Sequence, residues 1–247
     1  MIDLELDAGL AVITIDRPEA RNAISLATMG ELEKALDAAD GAGALVIRGA
    51  GDRAFVSGGD LKELAALRTE DEATAMALRM RAICDRLAAF PAPVIAAVNG
   101  HALGGGAEVA VAADIRVAAD DIKIGFTQST LAIMPAWGGA ERLAELVGPG
   151  RALLLAGTGR VLTAAEAERL GLVDQVLPRA TFDEGWRALA HSLTGAPARG
   201  IKHVLRRAAG APLTEAHAED AARTFARLWV DDEHWAAVER AGAKRAR

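Results

Sequence analysis

Residues 93–118 read PVIAAVNGHALGGGAEVAVAADIRVA, and their order decides the fold class. Val94–Val98 is a short apolar run of the length and composition of a buried strand. A glycine-rich turn follows at NGHALGGG (99–106) and opens a helical stretch, Ala107–Ala113. The segment DIRVA (114–118) is strand-like again. Strand, glycine turn, helix and strand in one short stretch is the order of an α/β core. The turn also matters chemically. The first N–H groups of a helix have no partner within it, so they are available to a negative or developing charge. Glu108 stands one turn into that helix.

Working outward, Ile2–Leu6 and Leu10–Ile15 alternate around the turn signal Asp7-Ala8-Gly9, which predicts a hairpin. Ser25–Ala39 has apolar positions at helical spacing, and Gly43–Arg48 is a short buried strand. Residues 61–90 read as one helix that stops before Pro91 and Pro93. Beyond Gly139 the pattern is nearly all helical, broken at Gly148-Pro149, Gly157, Gly171, Pro178 and Pro197, with VDQVL (173–177) the one late strand. The expected organisation is an α/β core over 1–190 and a helical C-terminal region over 191–247.

The bulk numbers exclude several classes. A chain of 247 residues that is 51% hydrophobic can bury a large core. A net charge of −6 argues against nucleic acid as a partner. Arg240, Lys244, Arg245 and Arg247 read as a solvated tail. Cys84 is the single cysteine, so there is no disulfide framework and no cysteine-based metal site, and its helical context predicts an inert buried thiol. The histidines show no metal-ligand spacing. No basic-then-apolar leader opens the chain and no uncharged run has membrane-spanning length. The expectation is a soluble, cytoplasmic protein with no metal or redox cofactor.

A second glycine turn, VSGGDLKEL (56–64), also follows a strand-like segment and opens a helix. Neither turn spells a phosphate-binding loop in the right context. Two N–H groups from two loops can instead converge on one carbonyl oxygen and stabilise the charge that develops there. Asp60 reads as a stabiliser of its helix start. His101 reads as a bystander, and Glu141 and Arg142 as structural.

The combination AFVSGGDLKEL, PVIAAVNGHALGGGAEVAVAADIRVA and MPAWGGAERLAELVG resembles the crotonase superfamily of enoyl-CoA hydratases and isomerases. IDRPEARNAIS (15–25) is similar to that family's early motif and GRVLTAAEAERLGLVDQVLP (159–178) to its late one. The resemblance covers essentially the whole chain. It implies a spiral of ββα units with a helical C-terminal part that forms trimers or dimers of trimers. It also implies that the N–H groups of Gly59 and Gly105 form an oxyanion hole for an acyl-CoA thioester, with coenzyme A part of the substrate and no separate cofactor. Lys62 would lie near the CoA phosphates, and Ala23, Pro135 and Trp137 against the substrate. Lys202 and Arg206, on a helix beginning near Ala198, would also meet CoA.

Hydratases of the superfamily use two glutamates. One matches Glu108; the second lies seven residues before the proline of the P-G-A-G-G segment, which here is Gln128. An amide neither takes nor gives a proton as a carboxyl does. That absence favours chemistry needing no strong base, namely loss of CO2 from a malonyl-type thioester. FVSGGDLKEL, TEDEATAMALRMR (69–81), MPAWGGAERL and RLWVDDEHWAAVERAGAKR (227–245) resemble the ethylmalonyl-CoA and methylmalonyl-CoA decarboxylases of the superfamily, a branch that also carries a tryptophan at the Trp137 position. Ala132 departs from a glycine usual in nearly all branches. Hydration or a related lyase reaction through Glu108 alone stands beside decarboxylation. A catalytically silent CoA-ester-binding protein is the reading of another class.

Overall fold

The computed structural model describes residues 1–208 together with Asp220, residues 223–225, Arg227 and Ala236. In chain order the elements are β1 (Ile2–Asp7), β2 (Leu10–Ile15), α1 (Leu26–Ala38), β3 (Ala44–Gly49), β4 (Ala54–Val56), α2 (Leu61–Leu64), α3 (Glu70–Ala89), β5 (Val94–Val98), β6 (His101–Leu103) and α4 (Gly105–Val111). They continue as β7 (Ile115–Ala119), β8 (Lys123–Gly125), α5 (Gly139–Val147), α6 (Pro149–Thr158), β9 (Val161–Thr163), α7 (Ala164–Arg169), β10 (Gln175–Leu177), α8 (Phe182–Ser192) and α9 (Ala196–Ala208).

The hairpin forms as its turn predicts. Asp7 pairs with Leu10, and Ala8 and Gly9 both take positive φ (46° and 81°), the two-residue turn that matches strand twist. From β2 onward the large sheet runs parallel in the order β1-β2-β3-β5-β7-β10. Its central strand β5 is buried at every position, as a strand covered on both faces must be. A smaller sheet, β4-β6-β8-β9, stands beside it. The strands enter the sheets alternately. β3, β5 and β7 join the large sheet, and β4, β6 and β8 follow each of them into the small one. A helix follows each pair, which is the ββα spiral that the family resemblance implies.

Three expectations need correction. Residues 61–90 are two helices, because Thr69 and Glu72 form a reciprocal capping box that starts α3 afresh. The helix expected at Ala107–Ala113 runs from Gly105 to Val111. VDQVL is not the only late strand, since Val161–Thr163 pairs antiparallel with β8. The helical C-terminal region is described through α9; the remainder of 191–247, including nearly all of 227–245 and the basic tail, lies outside the described residues. Among the described residues no helix is long and apolar enough to cross a membrane.

Candidate active site

The early motif positions the first glycine turn. The Ile24 N–H donates to the Gly58 carbonyl (2.8 Å), and the Asp60 N–H donates to the Ile24 carbonyl (2.8 Å). Ile24 therefore bridges to Gly59 in parallel register. In such a bridge the flanking residues make the bonds, so the N–H of Gly59 itself points away from Ile24. Buried Asn22 locks the same segment, donating to the carbonyls of Ala50 (3.0 Å) and Ala54 (2.7 Å) and accepting from the Arg17 N–H (3.0 Å). Asp60 caps α2 through the N–H groups of Lys62 (3.2 Å) and Glu63 (3.4 Å). It also pairs with Arg17 at 2.9 Å. Its carboxyl lies below the usual aspartate range: burial alone would raise it, and the Arg17 bond and the cap outweigh burial.

The second turn uses three consecutive glycines for three different reasons. Gly104 sits at φ 56°, ψ −121°, a backbone region open essentially to glycine alone. A Cβ on Gly106 would lie 1.8 Å from the Val56 carbonyl oxygen, so glycine lets α4 press onto β4. At Gly105 an added Cβ would meet the Trp137 ring at 2.1 Å. The two turns touch, since a Cβ on Gly58 would stand 3.3 Å from the Gly105 nitrogen. Gly105 is the first residue of α4, where an N–H has no partner inside the helix.

Both turns line a cavity of about 220 Å³. Gly59, Gly105, Glu108, Gln128 and Trp137 all line it, joined by Ser57 and Thr127. Leu61, Leu64, Met76, Leu131, Ile133 and Met134 supply apolar lining. Glu108 is the only ionisable side chain among the described residues of the wall. It is 2% exposed. Its Oε2 accepts from the backbone N–H groups of Trp137 (2.7 Å) and Gly139 (3.0 Å), and its Oε1 from the Gln128 amide nitrogen (2.8 Å). Gly139 has no room for a side chain because a Cβ there would lie 2.3 Å from Glu108 Cγ. Burial raises the Glu108 pKa above the ordinary glutamate value, opposed by the donors from Gly139, Trp137 and Gln128. The two lone pairs of Oε2 are taken, so a proton arrives and leaves through Oε1. Beside it, the Gln128 Oε1 is buried without a hydrogen-bond partner among the described residues.

Three residues expected against the substrate are not on this wall. Lys62 is exposed on α2 next to Leu61. Ala23 is buried, with its carbonyl taken by Arg17 Nη1 (2.7 Å). Pro135 is buried two residues before Trp137 and is not among the lining residues. Lys202 corrects a further expectation. It is buried, donates to the Ala92 carbonyl (2.9 Å) and pairs with Asp114 (2.5 Å), so it ties α9 to the large sheet instead of facing a ligand. Burial pulls its pKa down, against the Asp114 bond. Arg206 is exposed and donates to the Ala88 carbonyl (2.6 Å).

The structural readings hold elsewhere. Arg142 bonds the Trp137 carbonyl (3.3 Å) and pairs with Asp85, and Glu141 pairs with Arg81. His101 is exposed on β6 and accepts from the Lys123 N–H (3.1 Å). The Cys84 thiol is pushed up to about 12 by burial, which keeps it unreactive. The apolar walls were not singled out from sequence, because Leu, Ile and Met at helical spacing read as core. The exposure of Leu131, Ile133 and Met134 (56%, 58% and 70%) is what marks them as wall.

Comparison with known proteins agrees with this geometry. The model of the family described as enoyl-CoA hydratase/isomerase matches residues 5–233. A probable enoyl-CoA hydratase of Mycobacterium bovis is 39% identical over 218 residues, covering 86% of this chain and 83% of that protein. A crotonyl-CoA hydratase of Syntrophomonas wolfei is 42% identical over 179 residues, covering 71% and 68%. Among solved structures, an enoyl-CoA hydratase from Bacillus anthracis superposes with a TM-score of 0.90 at 31% identity, covering 98% of this chain and 96% of that one.

Proposed function

This chain belongs to the enoyl-CoA hydratase/isomerase family, and on that premise we propose that it is an acyl-CoA lyase that holds a thioester enolate between the N–H groups of Gly59 and Gly105. The hydrogen-bond arrangement of Glu108 carries this reading. Three donors fix the carboxyl, and Oε1 is the oxygen left to exchange a proton with a bound ligand. Donors aimed at the developing oxyanion are worth most in a site from which water is excluded. The apolar walls of this cavity supply that setting.

The reaction best supported is addition of water to a short enoyl thioester, and its reverse. Glu108 Oε1 and the unpartnered Gln128 Oε1 are two acceptors side by side, and a water molecule has two protons to donate. The oxygen attacks Cβ, the electron pair of the double bond moves to the thioester oxygen, and Glu108 takes the water's proton. It then returns that proton to Cα, so no net proton is gained or lost. The hydratase names of the relatives favour the same reaction.

Decarboxylation of a malonyl-type thioester is the second reading. Gln128 stands where a second carboxyl would be, and Glu108 is the single ionisable side chain among the described residues of the lining. Loss of CO2 would leave the electron pair in the same hole, and protonated Glu108 would quench Cα. Lys62, exposed on α2 next to the lining residue Leu61, is proposed to meet the CoA phosphates. A trimer or dimer of trimers is part of the proposal. Exposed Leu153 and Leu154 on α6 offer apolar surface of the kind such an assembly covers.

The test is a panel of CoA esters with products identified by mass. Conversion of crotonyl-CoA to its hydroxyacyl product supports hydration, and CO2 from methylmalonyl-CoA or ethylmalonyl-CoA supports the second reading. Binding of esters with no turnover of any would make the protein a silent CoA-ester binder.

A further inference from the structure

Which Glu108 oxygen stays open to a proton is decided by one turn. Oε2 is occupied by the N–H groups of Trp137 and Gly139, two residues apart in the chain. Their convergence on a single oxygen depends on how that turn is set. Gly138, between them, takes φ 85°. The Arg142 guanidinium lies against it so closely that a Cβ on Gly138 would stand 2.3 Å from Nη1. That Nη1 donates to the Trp137 carbonyl (3.3 Å), and Nη2 pairs with Asp85 on α3. Asp85 also faces Arg81 at 3.8 Å, and Arg81 pairs with Glu141 (2.5 Å) in the first turn of α5. The turn that holds Glu108 is therefore tied through Arg142 to α3.

We propose that Arg142 is a positioning residue for the reaction: anchored on Asp85, its guanidinium sets the Trp137–Gly139 turn so that both N–H groups meet Glu108 Oε2, which leaves Oε1 to carry the proton. The inference rests on the reading of Glu108 as the proton carrier. A guanidinium suits this task because its planar fork presents separate donors to the Trp137 carbonyl and the Asp85 carboxylate. Without the fork the turn loses its outer tie, and the two N–H donors drift from Oε2. Those donors oppose the upward pull of burial on Glu108, so its carboxylate would form at higher pH. Few other charges surround it among the described residues. Cys84 on α3 stays a neutral thiol. Of the strands packed against α4, β4 and β5 carry no ionisable side chain and β6 carries only exposed His101. Besides Arg142, α5 brings Glu141 and Glu145, both exposed. Charge alone and positioning predict opposite results at Asp85. Removing a nearby anion favours a carboxylate and moves the Glu108 titration to lower pH. Releasing Arg142 from its anchor moves it to higher pH.

The experiment measures kcat/KM for crotonyl-CoA against pH in the wild type, Arg142→Met and Asp85→Ala. Both variants should show an acid limb displaced to higher pH, with activity on that limb down about tenfold or more and the loss shrinking at alkaline pH. A role limited to stability would lower activity by the same factor at every pH. An acid limb that is unmoved, or moved to lower pH, in either folded variant overturns the proposal. Should Arg142→Met fail to fold by circular dichroism, Asp85→Ala decides alone, since that carboxylate is half-exposed (51%). Should the wild type not turn over crotonyl-CoA, the hydration reading fails separately. Infrared titration of the protonated carboxyl band that Glu108→Gln removes then decides this one. A band that persists to higher pH in Asp85→Ala than in the wild type supports the proposal, and one that titrates with the wild type or below it overturns it.

Discussion

Replacing Glu108 by alanine and by glutamine separates its two jobs. In Glu108→Ala the N–H groups of Trp137 and Gly139 lose their acceptor, and both residues are buried. Each unmet buried donor costs about 1–3 kcal/mol, so the loss is about 2–6 kcal/mol before any cavity is counted. For a chain of this size each kcal/mol moves Tm by roughly 2–4 °C. Glutamine keeps the shape. Its carbonyl oxygen takes the place of Oε2, and its NH2 then faces Gln128, whose Oε1 is unpartnered and can rotate in to accept. The glutamine also removes the burial cost that raises the Glu108 pKa, so its stability at neutral pH should equal or exceed that of the wild type. Both variants should lose turnover. Thermal and urea unfolding with crotonyl-CoA assays on the same samples would check this. Equal losses of stability in the two variants would refute the idea that Oε2 clamps the Trp137 turn.

Three further outcomes follow from the same geometry. Glu108 binds its proton more tightly folded than unfolded, so its contribution to stability is full below the ordinary glutamate value, about 4.3, and falls as pH rises through the folded one. Urea titrations should therefore show the wild type losing ground to Glu108→Gln across that window, and parallel profiles would contradict the shift. Gln128→Glu places a second carboxyl within 2.8 Å of Oε1, so the pair shares one proton; hydration of crotonyl-CoA should rise by about tenfold or more while stability falls. Gly106→Ala meets the backbone oxygen of Val56 and should not yield folded protein by circular dichroism; soluble, active Gly106→Ala would show that α4 is not pressed onto β4 as described.

The parts legible in the sequence were those with a local chemical signature. Gly104–Gly106 followed by Glu108 announced a helix start with an acid behind it, and the helical spacing over Ser25–Ala39 announced α1, whose first turn Ser25 caps by accepting from the Thr28 N–H. Counting to Gln128 located a residue whose amide does lie against Glu108. The small sheet was not legible, because strands such as His101–Leu103 and Lys123–Gly125 are three residues long and owe their conformation to partners distant in sequence. The break between α2 and α3 could have been found, since Thr69 and Glu72 spell a capping box. Lys202 was misread because nothing local says that a lysine turns inward to an aspartate on a distant segment. The role of Ile24 in turning the Gly59 N–H outward depends on a bridge that only the folded chain forms.

The N–H groups of Gly59 and Gly105 are proposed to polarise a thioester carbonyl. This is tested most directly by carbon-13 NMR of crotonyl-CoA labelled at that carbon and bound to Glu108→Gln, which should hold the ester without consuming it. Binding should move the carbonyl resonance downfield, from charge drawn onto the oxygen. A bound ester whose carbonyl resonates where the free ester does would contradict the proposal.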